Sequence, residues 1–260
     1  MKELHITSLQ NAQVKMWRAL KDAKGRAAHR LFLAEGDHMT GEALKEGFAQ
    51  TLLVEESAAE RYLVHIEAAK EKDIDVCFLP EHVMASVCDA KTPQGVIAVC
   101  RLPETKREFG GELKIAALDS VQDPGNVGTI LRTLDAAGFD ALLINTGTAD
   151  PYAPKALRAS MGAVFRIPVY CCDLPGTLSA IVQTHDLYAG ALNGKPYFER
   201  KRTKEGVCVI IGNEGKGISQ AVYDVQGIER VKLPMVGGAE SLNASVAAAI
   251  MIYDVVRCGE

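Results

Sequence analysis

The sequence predicts an α/β protein of two domains, and three observations support this prediction. Segments typical of strands and of helices alternate along the whole chain of 260 residues. The strand-like segments of the second half are almost wholly apolar, as in a parallel sheet covered by helices on both faces. Residues 101–112, RLPETKREFGGE, are polar and lack apolar periodicity. We therefore expect a first domain at 1–102, a linker at 103–112 and a second domain at 113–260.

The first half reads as a small α/β unit. Residues 8–24 carry Leu9, Val14, Trp17 and Leu20 roughly at helical spacing, which predicts one helix. The segments that follow alternate strand, helix, strand in this order: LFLAEG, MTGEALKEG, TLLVEE, ERYLVHIEAAKEK, IDVCFL, PEHVMASVC and GVIAVC.

The second half repeats this alternation with more strongly apolar strands. We predict strands at KIAAL, ALLIN, RIPVY, DLYAGAL, VCVIIG and ERVKLPM. We predict helices at NVGTILRTLDAAG, KALRASMG, LSAIVQTH, GISQAVYD and SLNASVAAAIMIYDVVR.

Composition narrows the class of protein. The chain is 48% hydrophobic and 24% charged, which is ordinary for a soluble globular protein. It has no apolar span of about 18 residues, and its start, MKELHITSLQ, lacks the apolar core of a signal peptide. The seven cysteines form an odd number without a C-x-x-C pair. We therefore expect a cytoplasmic protein with reduced thiols, no membrane segment and no metal site.

The charge distribution points to a local basic surface. A net charge of −4 argues against non-specific binding of long nucleic acid by charge alone. The first thirty or so residues nevertheless hold an excess of cations, among them Lys15, Arg18, Lys24 and Arg26. This surface could contact RNA, or it could be the solvated face of a helix.

Three glycine- and asparagine-rich motifs each follow a predicted strand of the second half. They are DPGNVGTILRT (123–133), IIGNEGKGIS (210–219) and LPMVGGAESLNAS (233–245). Ligands of open parallel sheets bind at the carboxyl ends of the strands. Each motif taken alone could also be a tight turn with a helix cap, with Gly212 and Gly217 at positive φ and Ser241 as an N-cap.

A phosphate cradle for a nucleotide is the first hypothesis that these motifs suggest, and it fails. The Gly-Lys pair of GNEGKGIS is not followed directly by Ser or Thr, so no Walker loop is present. The glycine spacing of PGNVGTIL does not match a dinucleotide-binding fingerprint. Glu214 would repel a phosphate and suits a ligand that carries positive charge.

The motifs NVGTILR, IIGNEGKGIS and LPMVGGAESLNASVAAAI resemble the three signature motifs of the SpoU (TrmH) family of RNA ribose 2′-O-methyltransferases, part of the SPOUT superfamily. PKALRASMGAVFRIPV (154–169) resembles the family's segment between the first two motifs, so the match covers about 115–257. The first half resembles the RNA substrate-binding domain often fused to these enzymes, a sandwich similar to ribosomal proteins. ITSLQNAQVKMWRALKDAKGR, FLAEG and KTPQGVIAV carry this second resemblance.

The resemblance implies a deep trefoil knot that forms a pocket for S-adenosylmethionine, and a homodimer packed through the knot region. The cofactor-binding positions that it implies are Ala191, Leu192, Gly212, Asn213, Gly217, Leu233 and Leu242. Glycines allow the close backbone approach that recognition of adenine and ribose requires.

The resemblance also implies the residues around the reacting hydroxyl. Arg132 would lie at the ribose 2′-hydroxyl, with Asn126, Glu214, Ser241 and Asn243 around it. Because a free guanidinium is a poor base, we expect Arg132 to hold the hydroxyl and an adjacent phosphate, and its role in proton removal stays open. Arg158 could bind an RNA phosphate, reach across a subunit boundary or form a surface ion pair.

We therefore expect a methyltransferase that uses S-adenosylmethionine and acts on a ribose 2′-hydroxyl of structured RNA, with ribosomal RNA expected first. Transfer RNA is the alternative substrate. A protein of another class, an RNA-binding protein of the same fold without catalytic activity, is the second alternative, although Arg132 and Asn243 are both present.

Overall fold

A computed structural model describes residues 1–104 and 111–259, and in it the chain packs as two compact units. The first unit comprises 1–104 together with 152–165, and the second comprises the remaining described residues. Residues 105–110 of the predicted linker lie outside the described residues.

The first unit is built on a mixed five-stranded sheet with the order β1-β4-β3-β5-β2. The pairs β1/β4 and β3/β4 are parallel, whereas β5 is antiparallel to both β2 and β3. Its elements are β1 (Glu3–His5), α1 (Ala12–Ala19), α2 (Ala23–His29), β2 (Leu31–Glu35), α3 (Asp37–Lys45), β3 (Ala49–Glu55), α4 (Leu63–Glu71), β4 (Asp75–Leu79), α5 (Glu81–Val87) and β5 (Val96–Arg101).

Two features of this unit differ from the sequence prediction. Within the range 8–24, predicted as one helix, α1 ends at Ala19 and α2 begins at Ala23. A Cβ at Gly25 would overlap with the backbone of Ala19, so glycine allows this close approach after the turn. The short strand β1 was not predicted, since three residues are too few to display an alternating pattern. The other predicted helices and strands of this unit are confirmed, with shifted ends.

The segment 152–165 packs with the first unit, although it lies within the range predicted for the second domain. It contains α7 (Pro154–Ser160), which buries Ala156 and Leu157. After α7 the ring of Phe165 packs 5.2 Å from Phe48 and 6.0 Å from Phe32, measured between centroids. Aromatic packing therefore explains why this part of the chain joins the first sheet.

The second unit is built on a six-stranded sheet with the order β11-β9-β10-β6-β7-β8, and every pair in it is parallel. Its elements are β6 (Lys114–Asp119), α6 (Pro124–Ala136), β7 (Ala141–Ile144), β8 (Val169–Cys171), α8 (Leu174–Ile181), β9 (His185–Pro196), β10 (Gly206–Gly212), α9 (Gln220–Tyr223), β11 (Ile228–Lys232) and α10 (Ala244–Gly259). The predicted parallel α/β sheet is confirmed.

Helices cover both faces of this sheet. On one face, Leu187 and Ala189 of β9 join a buried cluster with Leu178 of α8 and Val222 of α9. The opposite face of β9 meets α10, which also packs against α6 and β10. Alternate residues of each strand therefore enter different cores, which is why these strands are apolar without interruption. No helix in the described ranges is both long enough and apolar enough to cross a membrane.

A buried ion pair fastens α10 to the chain that follows β9. The guanidinium of Arg200 pairs with Asp254, and these side chains are only 6% and 5% exposed. Arg200 also lies over the ring of Tyr197, 3.7 Å from its centroid, and the Tyr197 hydroxyl donates to the carbonyl of Met251 (2.7 Å). This cluster holds the last helix in place.

Candidate functional site

The candidate site lies at the carboxyl ends of β6 and β10, which are neighbouring parallel strands. Their last residues, Asp119 and Gly212, are paired in register. The loops 120–123 and 213–219 therefore emerge side by side, as expected for a ligand site of an open parallel sheet.

Asn126 joins the three sequence motifs at this edge. Its Nδ2 donates to Oε1 of Glu214 (2.9 Å), and its Oδ1 accepts from Nδ2 of Asn243 (3.1 Å). The structure thus brings together one residue from each motif.

Glu214 is held by the loop that precedes α6. Its carboxylate accepts from the backbone N–H of Gln122 (3.1 Å) and of Asp123 (3.3 Å) as well as from Asn126. Partial burial raises the pKa of this carboxyl, but the hydrogen bonds outweigh that effect and the net pKa is lowered. Glu214 is therefore an ionised acceptor at neutral pH and braces the edge of the site.

The first motif forms the helix α6, which was predicted from Asn126 and begins two residues earlier, at Pro124. Asp123 caps α6 by accepting from the N–H of Asn126 (2.9 Å), and Pro124 occupies the first turn. Gly125 and Gly128 lie inside α6, and Gly128 is buried. The left-handed residue of the turn before α6 is Ser120, at φ 62°.

The second motif closes on itself through backbone bonds between Asn213 and Gly217 (3.0 and 2.9 Å). Gly217 has φ 70°, as its turn requires, whereas Gly212 does not have a positive φ. A Cβ at Gly212 would overlap with the backbone of Gly217 and Ile218. Gly212 is therefore needed for close approach, and only Gly217 for a left-handed conformation.

The third motif leads into α10, whose N-cap is Asn243 rather than Ser241. Oδ1 of Asn243 accepts from the N–H of Ser245 (2.9 Å). Ser241 is exposed, and within the described ranges it makes no side-chain hydrogen bond. The alternative interpretation, in which Ser241 is the N-cap of this helix, is therefore wrong.

The remaining predicted cofactor positions lie in partly or fully exposed chain. Ala191 and Leu233 are half-buried, Leu242 is 36% exposed, and Leu192 is 74% exposed. Over 233–242 the backbone makes no hydrogen bond to other backbone in the part of the chain that the structure describes. These N–H and C=O groups are available to a polar ligand.

Arg132 lies on α6 and is exposed. Its guanidinium has no hydrogen bond or ion pair among the described residues, and no contact joins it to the Asn126–Glu214–Asn243 group. A long exposed cation without a partner among the described residues can bind an anionic or polar ligand.

Two further residues at this edge were missed by the sequence analysis. Asp119 is a buried carboxylate at the end of β6, and Asn145 follows β7. Both side chains bond to the loops of the site. Asp119 could have been found in the sequence, because it directly follows the apolar run KIAAL. A carboxylate at the end of a buried strand needs hydrogen-bond partners, which predicts contacts with the neighbouring loops.

The predicted basic residues of the first unit divide into two groups. Lys15, Arg18 and Lys21 line an open hollow of about 400 Å³ between α1 and α5, and Lys24 is exposed. Arg26, in contrast, is 4% exposed and donates to the carbonyls of Leu20 (2.9 Å) and Lys21 (2.7 Å). The expectation that Arg26 contacts RNA is therefore corrected, because its buried guanidinium donates its hydrogen bonds to the turn after α1.

Arg158 forms a local ion pair with Asp89 (2.9 Å) inside the first unit. The backbone N–H of Asp89 in turn donates to the half-buried Glu35 (2.7 Å). Of the three roles considered for Arg158, the structure contains the surface ion pair.

Metal ligation has no support from side-chain clusters. Over the described residues, no group of three or more His, Cys, Asp or Glu side chains is arranged to hold a metal ion.

The fold and the site define a parallel α/β protein whose ligand site is built from three loops at the strand ends. A model of the SpoU rRNA methylase family matches residues 114–253, which span this unit and all three motifs. The chain belongs to the SpoU rRNA methylase family. A model described as an MRM3-like substrate-binding domain matches residues 11–98 of the first half.

Similar proteins extend over the full length of the chain. It is 39% identical over 251 residues to the 23S rRNA (guanosine(2553)-2′-O)-methyltransferase RlmP of Bacillus subtilis, which covers 95% of this chain and 97% of the relative. An AdoMet-bound rRNA methyltransferase from Sinorhizobium meliloti superposes with a TM-score of 0.86 at 29% identity, covering 98% of both chains. The AdoMet complex of AviRb from Streptomyces viridochromogenes has a TM-score of 0.83 at 26% identity and covers 96% of this chain and 98% of that one.

Proposed function

We propose that this protein transfers the methyl group of S-adenosylmethionine to a ribose 2′-hydroxyl of ribosomal RNA. The observation that carries the proposal is the contact of Asn126 with both Glu214 and Asn243, which unites the three family motifs at one sheet edge. The full-length similarity to a 23S rRNA 2′-O-methyltransferase names the reaction and the class of RNA.

The residues of the second and third motifs fit S-adenosylmethionine. The absence of room for a Cβ at Gly212 and the unbonded backbone of 233–242 suit recognition of adenine and ribose by main-chain groups. Exposed apolar side chains at Leu192 and Leu242 suit the apolar faces of the same ligand. We assign Ala191, Asn213, Gly217 and Leu233 to this pocket as well. The ionised Glu214 favours a cation nearby.

S-adenosylmethionine supplies an electrophilic methyl group on a sulfonium, so a new O–C bond forms at the ribose as the S–C bond breaks. The protein must hold the hydroxyl in line and assist the loss of its proton. We assign to Arg132 the holding of this hydroxyl and of an adjacent phosphate, because its guanidinium is exposed and has no partner among the described residues. Asn126 and Asn243 brace the edge on which it acts, and Ser241 lies on the loop beside them.

We propose that residues 1–102 are the RNA substrate-binding domain and residues 113–260 the methyltransferase domain, whose segment 152–165 packs with the first unit. The hollow lined by Lys15, Arg18 and Lys21 has no carboxylate in its lining, so it favours an anion. A phosphodiester backbone is the anion that such a substrate offers. Lys24, at the start of α2, is a further exposed cation of this unit.

We infer a homodimer, a knotted carboxyl-terminal segment and a cytoplasmic location from family membership. Val246, Ile250 and Tyr253 of α10 are 47%, 36% and 50% exposed, and their spacing puts them on one helix face, which supports a helix-mediated dimer. The strand order, with β10 between β6 and β9, supports a threaded topology. We also retain the ribosomal-protein-like fold for the first unit and catalysis without a metal ion as proposals.

The test is a comparison of ribose methylation in total RNA from cells with and without this gene. We expect one site to be lost in 23S rRNA, and the nucleotide equivalent to guanosine 2553 is the first position to inspect. A lost site in transfer RNA would establish the alternative substrate. If no site is lost and calorimetry detects no binding of S-adenosylmethionine, the proposal is wrong, and binding of an rRNA fragment then tests the alternative of a non-catalytic RNA-binding protein.

A further inference from the structure

Asp119 bonds to both loops that flank the end of the central strand β6. Its side chain is 2% exposed. Oδ2 accepts from the backbone N–H of Ser219 (2.7 Å), at the end of the loop that follows β10. Oδ1 accepts from Nδ2 of Asn145 (2.8 Å), in the loop that follows β7.

Ser120 is held in a costly conformation by the same group of side chains. Its φ of 62° lies in the left-handed region, which costs a residue other than glycine on the order of 1 kcal/mol or more. Its N–H donates to Oδ1 of Asn145 (3.0 Å) and to Oγ1 of Thr148 (3.1 Å), and its carbonyl accepts from Nδ2 of Asn213 (2.8 Å). Hydrogen bonds from two loops, after β7 and after β10, therefore define the direction of the chain after β6.

We propose that Asp119, acting with Asn145, is a positioning residue that holds the loop 213–219 in the conformation that binds the cofactor. This loop contains Asn213 and Gly217, assigned above to the cofactor pocket, and Glu214, so the inference rests on the proposed function. Asp119 anchors the loop at its far end through Ser219, and Asn213 anchors its near end through Ser120. The loop is thus tied to the strand β6 at both ends.

The chemistry of the group requires a carboxylate at residue 119. Both oxygens of Asp119 accept hydrogen bonds, from Ser219 and from Asn145. An asparagine has a single acceptor oxygen, so in Asp119→Asn an NH₂ group must face one of these two N–H donors. A buried donor left without an acceptor is costly, and the loop must shift to find another.

An exchange of the two side chains restores complementarity. In the double variant Asp119→Asn, Asn145→Asp, the new asparagine accepts from Ser219 and donates to the new aspartate. The new aspartate still accepts from the N–H of Ser120, and the net charge is unchanged. Recovery of binding in the double variant would therefore show that the matching of donors and acceptors matters, and not the presence of an aspartate at residue 119 as such.

The experiment measures the Kd of S-adenosylmethionine by calorimetry and the melting temperature of the full chain, for wild type, Asp119→Asn, Asn145→Asp and the double variant. We expect each single variant to weaken binding by about tenfold or more, which is about 1.4 kcal/mol, and the double variant to recover most of it. Thr148→Val removes one hydrogen bond to Ser120 and should weaken binding of S-adenosylmethionine to a smaller extent. It replaces the Asp119 or Asn145 variant in the comparison if that variant does not fold.

Asp186 provides a matched control. It is also a buried carboxylate, 8% exposed, and it accepts from the N–H and Oγ1 of Thr203, but it lies at the amino end of β9. Asp186→Asn should lower the melting temperature and leave the Kd unchanged. If Asp119→Asn behaves like Asp186→Asn, or if the double variant does not recover binding, the positioning role is refuted. Failure of the wild-type protein to bind S-adenosylmethionine would instead refute the proposed function.

Discussion

Asn126 donates its amide to Glu214 across a separation of 88 residues, at a distance of 2.9 Å. On its other side the same amide accepts from Asn243, 117 residues away. Because its oxygen and its nitrogen are both engaged, the orientation of this amide is fixed. The three motifs therefore act as one unit, whose members we expect to be energetically coupled.

Coupling predicts non-additive losses. Asn126→Ala and Glu214→Ala should each lower kcat/KM by about tenfold, since each removes the hydrogen bond between these two side chains. The double variant should lose about as much as the more severe single variant, because residues in one network do not contribute independently. Steady-state kinetics on an rRNA fragment measures all three. Gln220→Ala is the control: it removes an exposed hydrogen bond to Asp224 and should leave kcat/KM unchanged. Additive losses would contradict a shared role.

Arg132 should matter for turnover and not for the affinity of the cofactor. In the proposed role, Arg132→Ala removes a charged donor from the reacting hydroxyl, and such losses lower kcat by about a hundredfold or more. Calorimetry with S-adenosylmethionine should give the wild-type Kd. Arg132→Lys, which keeps the charge but not the forked donors, should recover only part of the rate. A loss of cofactor binding in Arg132→Ala would show that its role is different.

The sequence predicted the second unit well because its strands carry a continuous apolar signal. Their order could not be predicted, since local patterns contain no information about which strands are neighbours. The pairing of β6 with β10 is what makes Asn126 a neighbour of Glu214.

The turns were predicted less well than the strands. The tight turn considered for the first motif does not lie at its glycines, which are inside α6, and the left-handed residue before this helix is Ser120. A positive φ at a serine cannot be predicted from the residue type. Here the hydrogen bonds of Ser120 with Asn145, Thr148 and Asn213 impose it. The prediction that Arg26 contacts RNA was wrong for a similar reason, because the local sequence does not show that this arginine is buried.

The buried pair of Arg200 and Asp254 should dominate the stability of α10. Arg200→Ala leaves the buried carboxylate of Asp254 without its main partner and should cost about 3 kcal/mol or more in the free energy of unfolding. Arg257, which binds the same carboxylate from an exposed position, is the matched control, and Arg257→Ala should cost much less. Denaturant unfolding of the full chain measures both. Equal losses for the two variants would contradict the argument.

His185 should make the protein less stable as the pH falls. Burial lowers the pKa of this imidazole below its usual value near 6.5, and among the described residues its Nε2 has no hydrogen-bond partner. The unfolded chain therefore binds more protons than the folded one below about pH 6.5, and stability is lost from there down to the lower folded pKa. We expect His185→Gln to show a weaker loss between pH 7 and about pH 5. The exposed His82 provides the control, because His82→Gln should follow the wild-type curve.

Arg18 and Arg26 should separate RNA binding from stability within one short segment. Arg18 is exposed in the basic hollow, so Arg18→Ala should weaken binding of an rRNA fragment and lower the dependence of log Kd on log salt by about one unit. Arg26 donates to carbonyls of the turn after α1, so Arg26→Ala should lower the melting temperature. The protein that remains folded should bind the rRNA fragment with the wild-type dependence of log Kd on log salt. Arg61, an exposed cation outside the hollow, is the control for a general effect of charge. If Arg61→Ala reduces the salt dependence as much as Arg18→Ala does, the hollow is not a specific phosphate site.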